Sequence, residues 1–286
     1  MPNEVPNNFG GLEKRFCEYK NAKFAILPIP FDKTSTWGKG ADMGPGAIID
    51  ASRNMELYDI ETNSEPYRAG IYTADPIIGE TSEEMIASSE SAVSKLLDDG
   101  KFVISIGGEH SVSNGLIRAY AKKYPNLSIL HLDAHSDRRD SYDGSKFSHA
   151  SIMARAGEIV SNIVSVGIRS MDASEVSVID PKKIFYAENI IDSDSWMKSA
   201  IDELSENVYI TIDLDVFDPS ALPSTGTPEP GGMDWYQVIR FLKLAVEKKN
   251  IVGCDIVELA PNPDEKSSDF LAAKLIYKLI AYAQKI

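Results

Sequence analysis

Three groups of acidic and histidine side chains stand directly after apolar segments, and these residue types bind divalent metal ions. In chain order they are His110, the alternating trio Asp133, His135 and Asp137, and the pair Asp213 and Asp215. Because side chains in a strand alternate with a period of two, we expect Asp133, His135 and Asp137 to share one strand face. Two carboxylates and an imidazole on one face make a poor apolar core and a good metal site.

The three groups together contain four carboxylates and two imidazoles, without any thiolate. Four crowded carboxylates would repel one another by several kcal/mol unless cations compensate, and one divalent ion would not compensate fully. We therefore expect two ions. The oxygen-rich donor set suits Mn²⁺ or Mg²⁺, with Zn²⁺, Co²⁺ or Ni²⁺ as alternatives. Such a pair lowers the pKa of a shared water towards neutrality and makes hydroxide available as a nucleophile.

The elements that must position these groups are about eight short apolar, β-branched segments that alternate with helical patterns. The predicted strands cover residues 24–28, 69–73, 102–106, 127–132, 162–167, 183–187, 207–214 and 251–257. The predicted helices cover residues 45–57, 81–99, 112–123, 195–205, 234–248 and 269–284. This alternation is typical of an α/β fold with a parallel sheet covered on both faces. The carboxyl ends of such strands meet at one edge, which would gather the three groups.

The chain of 286 residues shows no composition break or linker, which favours one domain over residues 21–286 behind an N-terminal arm of residues 1–20. A formal net charge of −14 argues against nucleic acid as a partner. Two distant cysteines, Cys17 and Cys254, give no disulfide framework and fit a reducing cytoplasm. No basic-then-apolar leader and no apolar run of roughly 20 residues is present, so we expect neither secretion nor membrane insertion.

Other interpretations of these motifs fit the sequence less well. The glycines between residues 38 and 44 do not follow the spacing of a phosphate-binding loop. Residues 213–224 do not form a calcium loop, because Asp218 and Ser224 occupy its glycine and glutamate positions. His131 falls on the same predicted strand face as Asp133 but deeper, and we expect it to be a hydrogen-bonded neighbour of the ligands rather than a seventh ligand.

The segments Gly107–Ser111, Asp133–Asp137 and Ile212–Pro219 resemble the three metal-binding signatures of the ureohydrolase family, the arginases and agmatinases. The similarity extends from about Pro28 to the last helix and is closest to bacterial agmatinases. It implies a three-layer αβα sandwich around a mainly parallel eight-stranded sheet, the arginase/deacetylase-like fold. It also implies two Mn²⁺ per chain and a homo-oligomer, either a trimer or a hexamer.

The resemblance also assigns roles to individual residues. One ion would be held by His110, Asp133, Asp137 and Asp213, and the other by Asp133, His135, Asp213 and Asp215, with Asp133 and Asp213 bridging. His149 would shuttle a proton to the leaving amine, and Glu258 would bind the guanidinium group of the substrate. Asp137 counts among the catalytic residues as well as among the ligands.

The choice of guanidino compound depends on residues 138–149, which look like the corresponding loop of bacterial agmatinases. Arginases carry there an Asn that reads the substrate's α-carboxylate, and this chain has Arg139. We expect one or both of Arg138 and Arg139 to face solvent or to pair with Asp140 or Asp143. Asp172 stands where the family places an acid that contacts the substrate tail.

The resulting expectation is an enzyme that hydrolyses agmatine, a small cation, to putrescine and urea. The alternatives are a guanidino-acid ureohydrolase such as guanidinobutyrase or arginase, and more remotely a deacetylase of related fold that uses a single zinc. An alternative of another class is a metal-binding structural or regulatory subunit without turnover.

Overall fold

The computed structural model describes residues 5–284, and its centre is a single sheet of eight parallel strands. The strands are β1 Phe24–Ile29, β2 Ile71–Thr73, β3 Phe102–Gly107, β4 Ser128–Leu132, β5 Asn162–Ile168, β6 Ile184–Tyr186, β7 Asn207–Asp213 and β8 Asn250–Val257. They lie in the order β2-β1-β3-β8-β7-β4-β5-β6, and every neighbouring pair is parallel. The predicted strand count and parallel sheet are confirmed.

Helices cover both faces of this sheet. They are α1 Lys14–Cys17, α2 Gly44–Ser52, α3 Ser82–Asp98, α4 Ser113–Lys123, α5 Ile152–Gly157, α6 Ala187–Ile190, α7 Ser195–Asp202, α8 Trp235–Lys248 and α9 Ser267–Ala283. Helices α2, α7, α8 and α9 share one apolar core with alternate residues of the strands. Helices α3, α4 and α5 share a second core with the opposite strand faces. The two cores make three layers, because strand side chains alternate between the faces.

Local hydrogen bonds and backbone conformation explain both ends of α3, which the sequence predicts well, and the C-terminal end of α2, which it does not. Helix α3 begins after Thr81, whose side chain accepts the Glu84 N–H at 3.2 Å, and it ends shortly before Gly100, which has a φ of +73°. Helix α2 was predicted to reach residue 57 but ends at Ser52. The Ser52 hydroxyl donates to the Ile49 carbonyl at 2.6 Å and accepts the Gly10 N–H at 2.8 Å, and this side-chain bonding competes with helix continuation.

The segment before β1 packs on the body within the part of the chain that is described. Phe9 and Leu12 are buried, and the Phe9 N–H donates to the Thr73 hydroxyl at 2.9 Å. Residues 1–4 of the predicted arm lie outside the described residues. The arm boundary at residue 20 and the division into one domain stay predictions.

The last strand, β8, lies between β3 and β7, so the four central neighbours are β3, β8, β7 and β4. Parallel pairing brings the carboxyl ends of all four to the same edge. These are the strands after which the chemistry-bearing residues follow. Among residues 5–284, no helix combines the length and the apolar character needed to cross a membrane.

Candidate metal centre

The loop after β4 brings together the residues that the sequence singled out first. Strand β4 ends at Leu132, so the prediction that Asp133, His135 and Asp137 share an extended strand face is wrong. Asp133 Oδ1 accepts the His135 N–H at 2.5 Å, and Asp137 takes a left-handed φ of +53°. These two features turn the chain, and the three side chains converge through the turn instead of through strand alternation.

Four side chains place their ligand atoms around one point beside the carboxyl ends of β3, β4 and β7. His110 Nδ1 lies 3.2 Å from Asp133 Oδ2, 3.2 Å from Asp137 Oδ2 and 3.4 Å from Asp213 Oδ2. All four residues are buried. Atoms that share an ion at about 2.1 Å each stand roughly 3 Å apart, so this spacing fits a single central cation.

The far side of the His110 ring fixes which nitrogen faces the carboxylates. His110 Nε2 lies 2.9 Å from the Thr211 hydroxyl, and that hydroxyl donates to Asp255 Oδ1 at 2.6 Å. Because the hydroxyl proton is committed to Asp255, the hydroxyl oxygen accepts from an N–H at Nε2. In the neutral ring, Nδ1 then carries the lone pair, and this buried atom has no hydrogen-bond partner among residues 5–284. It is oriented as a metal ligand.

A second group of ligand atoms adjoins the first. His135 Nδ1 lies 2.8 Å from Asp215 Oδ2 and 3.6 Å from Asp133 Oδ1. Asp133 therefore faces His110 with one oxygen and His135 with the other, as a bridging ligand would. For Asp213 the structure shows the contact with His110, while its second oxygen accepts the Asp215 N–H at 2.9 Å.

His131 lies beside the cluster but has both ring nitrogens engaged. Its Nε2 lies 2.7 Å from Asp133 Oδ2, and its Nδ1 lies 3.1 Å from the Ser165 hydroxyl. Ser165 is its cross-strand neighbour on β5. The ring therefore orients Asp133, which agrees with the sequence-based interpretation of His131 as a hydrogen-bonded neighbour.

The pKa shifts show that the cluster lacks positive charge. Burial, with the charge of Asp133, raises the pKa of Asp137 to about 7, and burial raises that of Asp213 well above its ordinary value. Burial opposes protonation of His110, yet the surrounding carboxylates raise its pKa. These shifts reflect carboxylates crowded together in a buried position, an arrangement that bound cations would stabilise. Two adjoining groups of donor atoms fit divalent ions: one contains His110, Asp133 and Asp137 with His131 beside them, and the other contains Asp133, His135 and Asp215. Asp213 joins the first group through its 3.4 Å contact with His110.

A cavity of about 200 Å³ opens onto this cluster. It is lined by the two proposed catalytic residues that are not candidate ligands, His149 and Glu258. His149 Nδ1 lies 3.9 Å from Glu258 Oε1. The buried Nε2 of His149 has no hydrogen-bond partner in the described chain. Burial, with the charges of His135 and His110, lowers the pKa of His149 to about 4. The imidazole is therefore neutral at pH 7.

Glu258 follows β8 in a left-handed conformation, with a φ of +67°. A glutamate rarely adopts this backbone, and the surrounding structure holds it there: its N–H donates to the Gly108 carbonyl at 2.8 Å. Its Oε1 accepts the backbone N–H of His110 at 2.6 Å. The strained turn aims the carboxylate at the cavity instead of along the strand direction.

The two arginines after Asp137 do not behave as the sequence predicted. Arg139 pairs with Asp172 at 3.2 Å and lies over the Tyr142 ring, with its Cζ 5.0 Å from the ring centroid. Arg138 is half-buried and extends towards Ser165, with Nη2 at 3.5 Å from the hydroxyl. Neither pairs with Asp140 or Asp143, so the pairing part of that expectation is wrong. The left-handed turn at Asp137 redirects the chain, and Asp140 binds Arg155 instead.

Other residues complete the site, and the motif search missed their roles. Arg169 donates to the backbone carbonyls of Asp215, Phe217 and Glu229 at 2.6, 3.2 and 2.9 Å, and so it holds the loop that carries Asp215. Glu229 Oε1 lies 3.7 Å from His135 Nε2. Thr211 and Asp255 could have been found only by a search for polar residues at inward positions of apolar strands.

Comparison with known proteins agrees with this geometry. A model of the arginase family matches residues 22–281. An N(1)-aminopropylagmatine ureohydrolase of Synechocystis is 35% identical over 97% of this chain and 96% of its own length. An agmatinase of Bacillus anthracis is 33% identical over 91% of both chains. The crystal structure of an agmatine ureohydrolase of Thermoplasma volcanium superposes with a TM-score of 0.86 at 34% identity, covering 94% of this chain and 92% of that one.

Proposed function

The chain belongs to the arginase family, and on this basis we propose that it hydrolyses the guanidino group of agmatine to urea and putrescine. The observation that carries the proposal is one cavity that joins the cluster of metal ligands to a neutral imidazole, His149, and a buried carboxylate, Glu258. Metal ligands, a proton carrier and a guanidinium acceptor are the groups that this hydrolysis needs.

We propose Mn²⁺ as the resident metal, held by His110, Asp133, Asp137 and Asp213 at one position and by Asp133, His135, Asp213 and Asp215 at the other. Donors that are mostly carboxylates, with one imidazole for each position and no thiolate, support this choice. Two bound divalent ions would supply hydroxide at neutral pH by lowering the pKa of water. Co²⁺, Ni²⁺, Zn²⁺ and Mg²⁺ are the alternatives that reconstitution would compare.

Glu258 would bind the guanidinium group. Burial raises the pKa of Glu258 well above its ordinary value, and a guanidinium cation beside it restores the ionised form. The planar fork of guanidinium N–H donors matches a carboxylate. The backbone N–H of His110 fixes one oxygen of Glu258. The carboxylate would therefore hold the central guanidino carbon in a defined orientation above the ligand cluster.

His149 would move the proton that the leaving amine requires. Hydroxide adds to the guanidino carbon, and the neutral imidazole takes a proton from the hydroxyl group of the tetrahedral species. The bond between that carbon and the substrate's chain nitrogen then breaks, its electron pair stays on the nitrogen, and His149 returns the proton there. The products are urea and the free amine. Asp137, whose Oδ2 lies 3.2 Å from His110 Nδ1, would be one of the residues that hold a metal ion beside the substrate.

The substrate tail would extend along the wall that contains Asp172 and Tyr142. Asp172 already pairs with Arg139, and its Oδ1 accepts the Ser174 N–H at 3.0 Å. The tail ammonium would therefore share the Asp172 carboxylate with Arg139 instead of meeting a free acid. We propose Asp172 as a modest contributor to tail binding.

A second candidate substrate is N(1)-aminopropylagmatine, whose hydrolysis would give urea and a triamine. The observation that favours it is the relative of that name, which matches this chain over 97% of its length. Both candidates share the same cleavage step and differ only beyond the guanidino end.

Urea release after Mn²⁺ loading tests the proposal. Agmatine, N(1)-aminopropylagmatine, arginine and 4-guanidinobutyrate would be compared by kcat/KM under the same conditions. We expect the highest kcat/KM with agmatine. A preference for N(1)-aminopropylagmatine would support the second candidate, and a preference for either carboxylate-bearing compound would refute both. A chain that binds metal without releasing urea from any of the four would instead be a non-catalytic subunit.

The remaining proposals concern assembly and location. We propose a homo-oligomer, a trimer or hexamer, located in the cytoplasm. Sedimentation equilibrium of the Mn²⁺-loaded protein would give the molar mass, with a monomeric result contradicting the proposal. Fractionation of the source cells would test the location.

A further inference from the structure

Glu109 is a fully buried carboxylate next to His110 whose partners lie away from the ligand cluster. It accepts the backbone N–H groups of Thr34 and Ser35, the latter at 3.1 Å, and the hydroxyls of Thr34 and Ser111. Four donors satisfy an ionised carboxylate in a buried position. Through these bonds Glu109 holds residues 34–35, which follow β1, against the start of the segment after β3.

The Thr34 hydroxyl extends this anchor to the proposed proton carrier. It donates to Glu109 Oε1 at 2.5 Å, and its oxygen accepts the backbone N–H of His149 at 2.9 Å. The hydroxyl thus stands between the buried Glu109 carboxyl group and the main chain of His149. The sequence separations are 75 residues to Glu109 and 115 residues to His149.

His149 needs an anchor because no strand or α-helix carries it there. The chain from Asp133 to Ser148 contains neither, and residues 140–145 are mostly exposed. The imidazole sits at the start of a single 3-10 turn, Ser148 capping it by accepting the Ala150 N–H at 3.4 Å. A small displacement of a proton carrier from its partner atoms is costly for the chemical step.

We propose that Thr34 is a positioning residue for His149: its hydroxyl ties the His149 main chain to the buried Glu109 carboxylate and so sets the imidazole at the reacting nitrogen. This inference rests on the proposed function of His149 as the proton carrier. Residues 34–35 would thus contribute to turnover and not to metal binding. None of the hydrogen bonds described above for these two residues reaches a candidate ligand side chain.

The test compares Thr34→Val, which keeps the shape and removes the hydroxyl, with Thr34→Ser, which keeps the hydroxyl. In the Mn²⁺-loaded enzyme we expect T34V to lower kcat at least tenfold with a KM change under threefold, and T34S to stay within threefold of wild type. Bound Mn²⁺ per chain should be the same in all three proteins. Equal losses in T34V and T34S would overturn the proposal.

A double-mutant cycle separates positioning from general damage. If Thr34 acts through His149, T34V should cost no further activity in an H149N background. Independent, multiplying losses would refute the inference. The matched control is Ser111→Ala, which removes another hydroxyl from Glu109 without touching His149, and a kcat loss equal to that of T34V would count against the proposal.

Amide hydrogen exchange gives a readout that needs no turnover. A peptide containing His149 should exchange at least tenfold faster in T34V than in T34S or wild type, because its N–H loses its acceptor. Unchanged exchange would overturn the proposed tie. If wild-type protein released no urea from any guanidino compound, the proposed function would fail, while this exchange measurement would still report whether Thr34 anchors residue 149.

Discussion

His110 Nε2 lies 2.9 Å from the Thr211 hydroxyl, on the side of the ring turned away from the carboxylates. Thr211 and Asp255 are cross-strand partners on β7 and β8, so the sheet itself aligns the relay from Asp255 to His110. The relay leaves the lone pair of Nδ1 directed at Asp133, Asp137 and Asp213. The tautomer of a proposed metal ligand is thus set by strand pairing.

Loss of this relay should weaken metal binding. We expect Thr211→Val to lower the affinity of the site containing His110 by about 10- to 100-fold, the usual effect of removing a partner that orients a ligand. Thr211→Ser keeps the hydroxyl and should bind as wild type does. Titration calorimetry with Mn²⁺ on chelator-treated protein measures both, and equal affinity in T211V and T211S would show that the relay has no such role.

The metal-free protein should lose stability as pH rises. The pKa of Asp137 is about 7 against an ordinary 3.8, and those of Asp213 and Glu258 shift upward too. A carboxyl whose folded pKa exceeds its unfolded value contributes stability that is fully present below about pH 3.8 and lost as pH rises through about 7. Asp133 shifts in the opposite direction and offsets part of this. Urea unfolding between pH 5 and 8 measures the balance.

Mn²⁺ should reverse that pH dependence, because deprotonated carboxylates bind it better at higher pH. Each occupied site adds about 2.7 kcal/mol to the free energy of unfolding when free Mn²⁺ is 100 times its Kd. We expect the stabilisation by Mn²⁺ to be larger at pH 8 than at pH 6. Stabilisation that is equal at both pH values would mean that these carboxylates do not bind the metal.

Replacement of the two proposed catalytic residues should affect different kinetic constants. His149→Asn should lower kcat by about 10² to 10⁴ with little change in KM, as expected for a lost proton carrier. Glu258→Gln keeps the shape but removes the negative charge, so we expect kcat/KM to fall by at least about 10². Steady-state urea release measures both, with bound Mn²⁺ checked in each variant. Near-normal turnover in either variant would remove that residue from the mechanism.

The tail contact at Asp172 should be weak because Arg139 already neutralises it. We expect Asp172→Asn to raise the KM for agmatine about threefold and to leave kcat within twofold, since an exposed ion pair contributes at most about 1 kcal/mol. Arg139→Gln is the matched variant, and it should lower that KM by freeing Asp172 for the ammonium. A KM unchanged in both variants would place the tail elsewhere.

Lys278 on α9 should be important for stability. It is buried and lies 2.9 Å from Asp59 Oδ2 and 2.6 Å from Glu61 Oε2. Removal of one partner leaves the other charge buried without compensation, so Lys278→Met should cost about 3–5 kcal/mol in the free energy of unfolding. Urea unfolding of the metal-free protein would measure it. A cost below about 1 kcal/mol would show that the pair is not coupled.

The Lys278→Met variant should also change how the free energy of unfolding depends on acidic pH. Burial opposes the charge of Glu61, yet hydrogen bonds from Lys243, Lys278 and Tyr282 lower its pKa from 4.5 to about 2. Its contribution to stability is therefore present above about pH 4.5 and lost as pH falls through about 2. In K278M part of that contribution is already absent, so stability should fall less over this window than in wild type.

Eight strands, their parallel arrangement and the candidate ligands after three of them could be predicted from the amino-acid sequence alone. Those conclusions depend on local information: β-branched apolar runs and residue types next to strand ends. The helix that ended early, at Ser52, shows where local information stops, because a side-chain hydrogen bond to Gly10 contributes there. The strand-face prediction for Asp133, His135 and Asp137 failed because periodicity does not report where a strand ends.

How the parts of the site meet depends on the tertiary structure. The His110–Thr211 contact joins residues 101 apart, and the His110–Glu258 contact joins residues 148 apart. The second contact exists because β8, the last strand, pairs with β3, and the first depends on the strand order β3-β8-β7, which places β7 two strands from β3. The pairing of Arg139 with Asp172 likewise depends on the loop after β5. Which strands become neighbours is set by the packing of the whole chain, which no local pattern encodes, whereas the chemistry of each strand end is a property of its own residues.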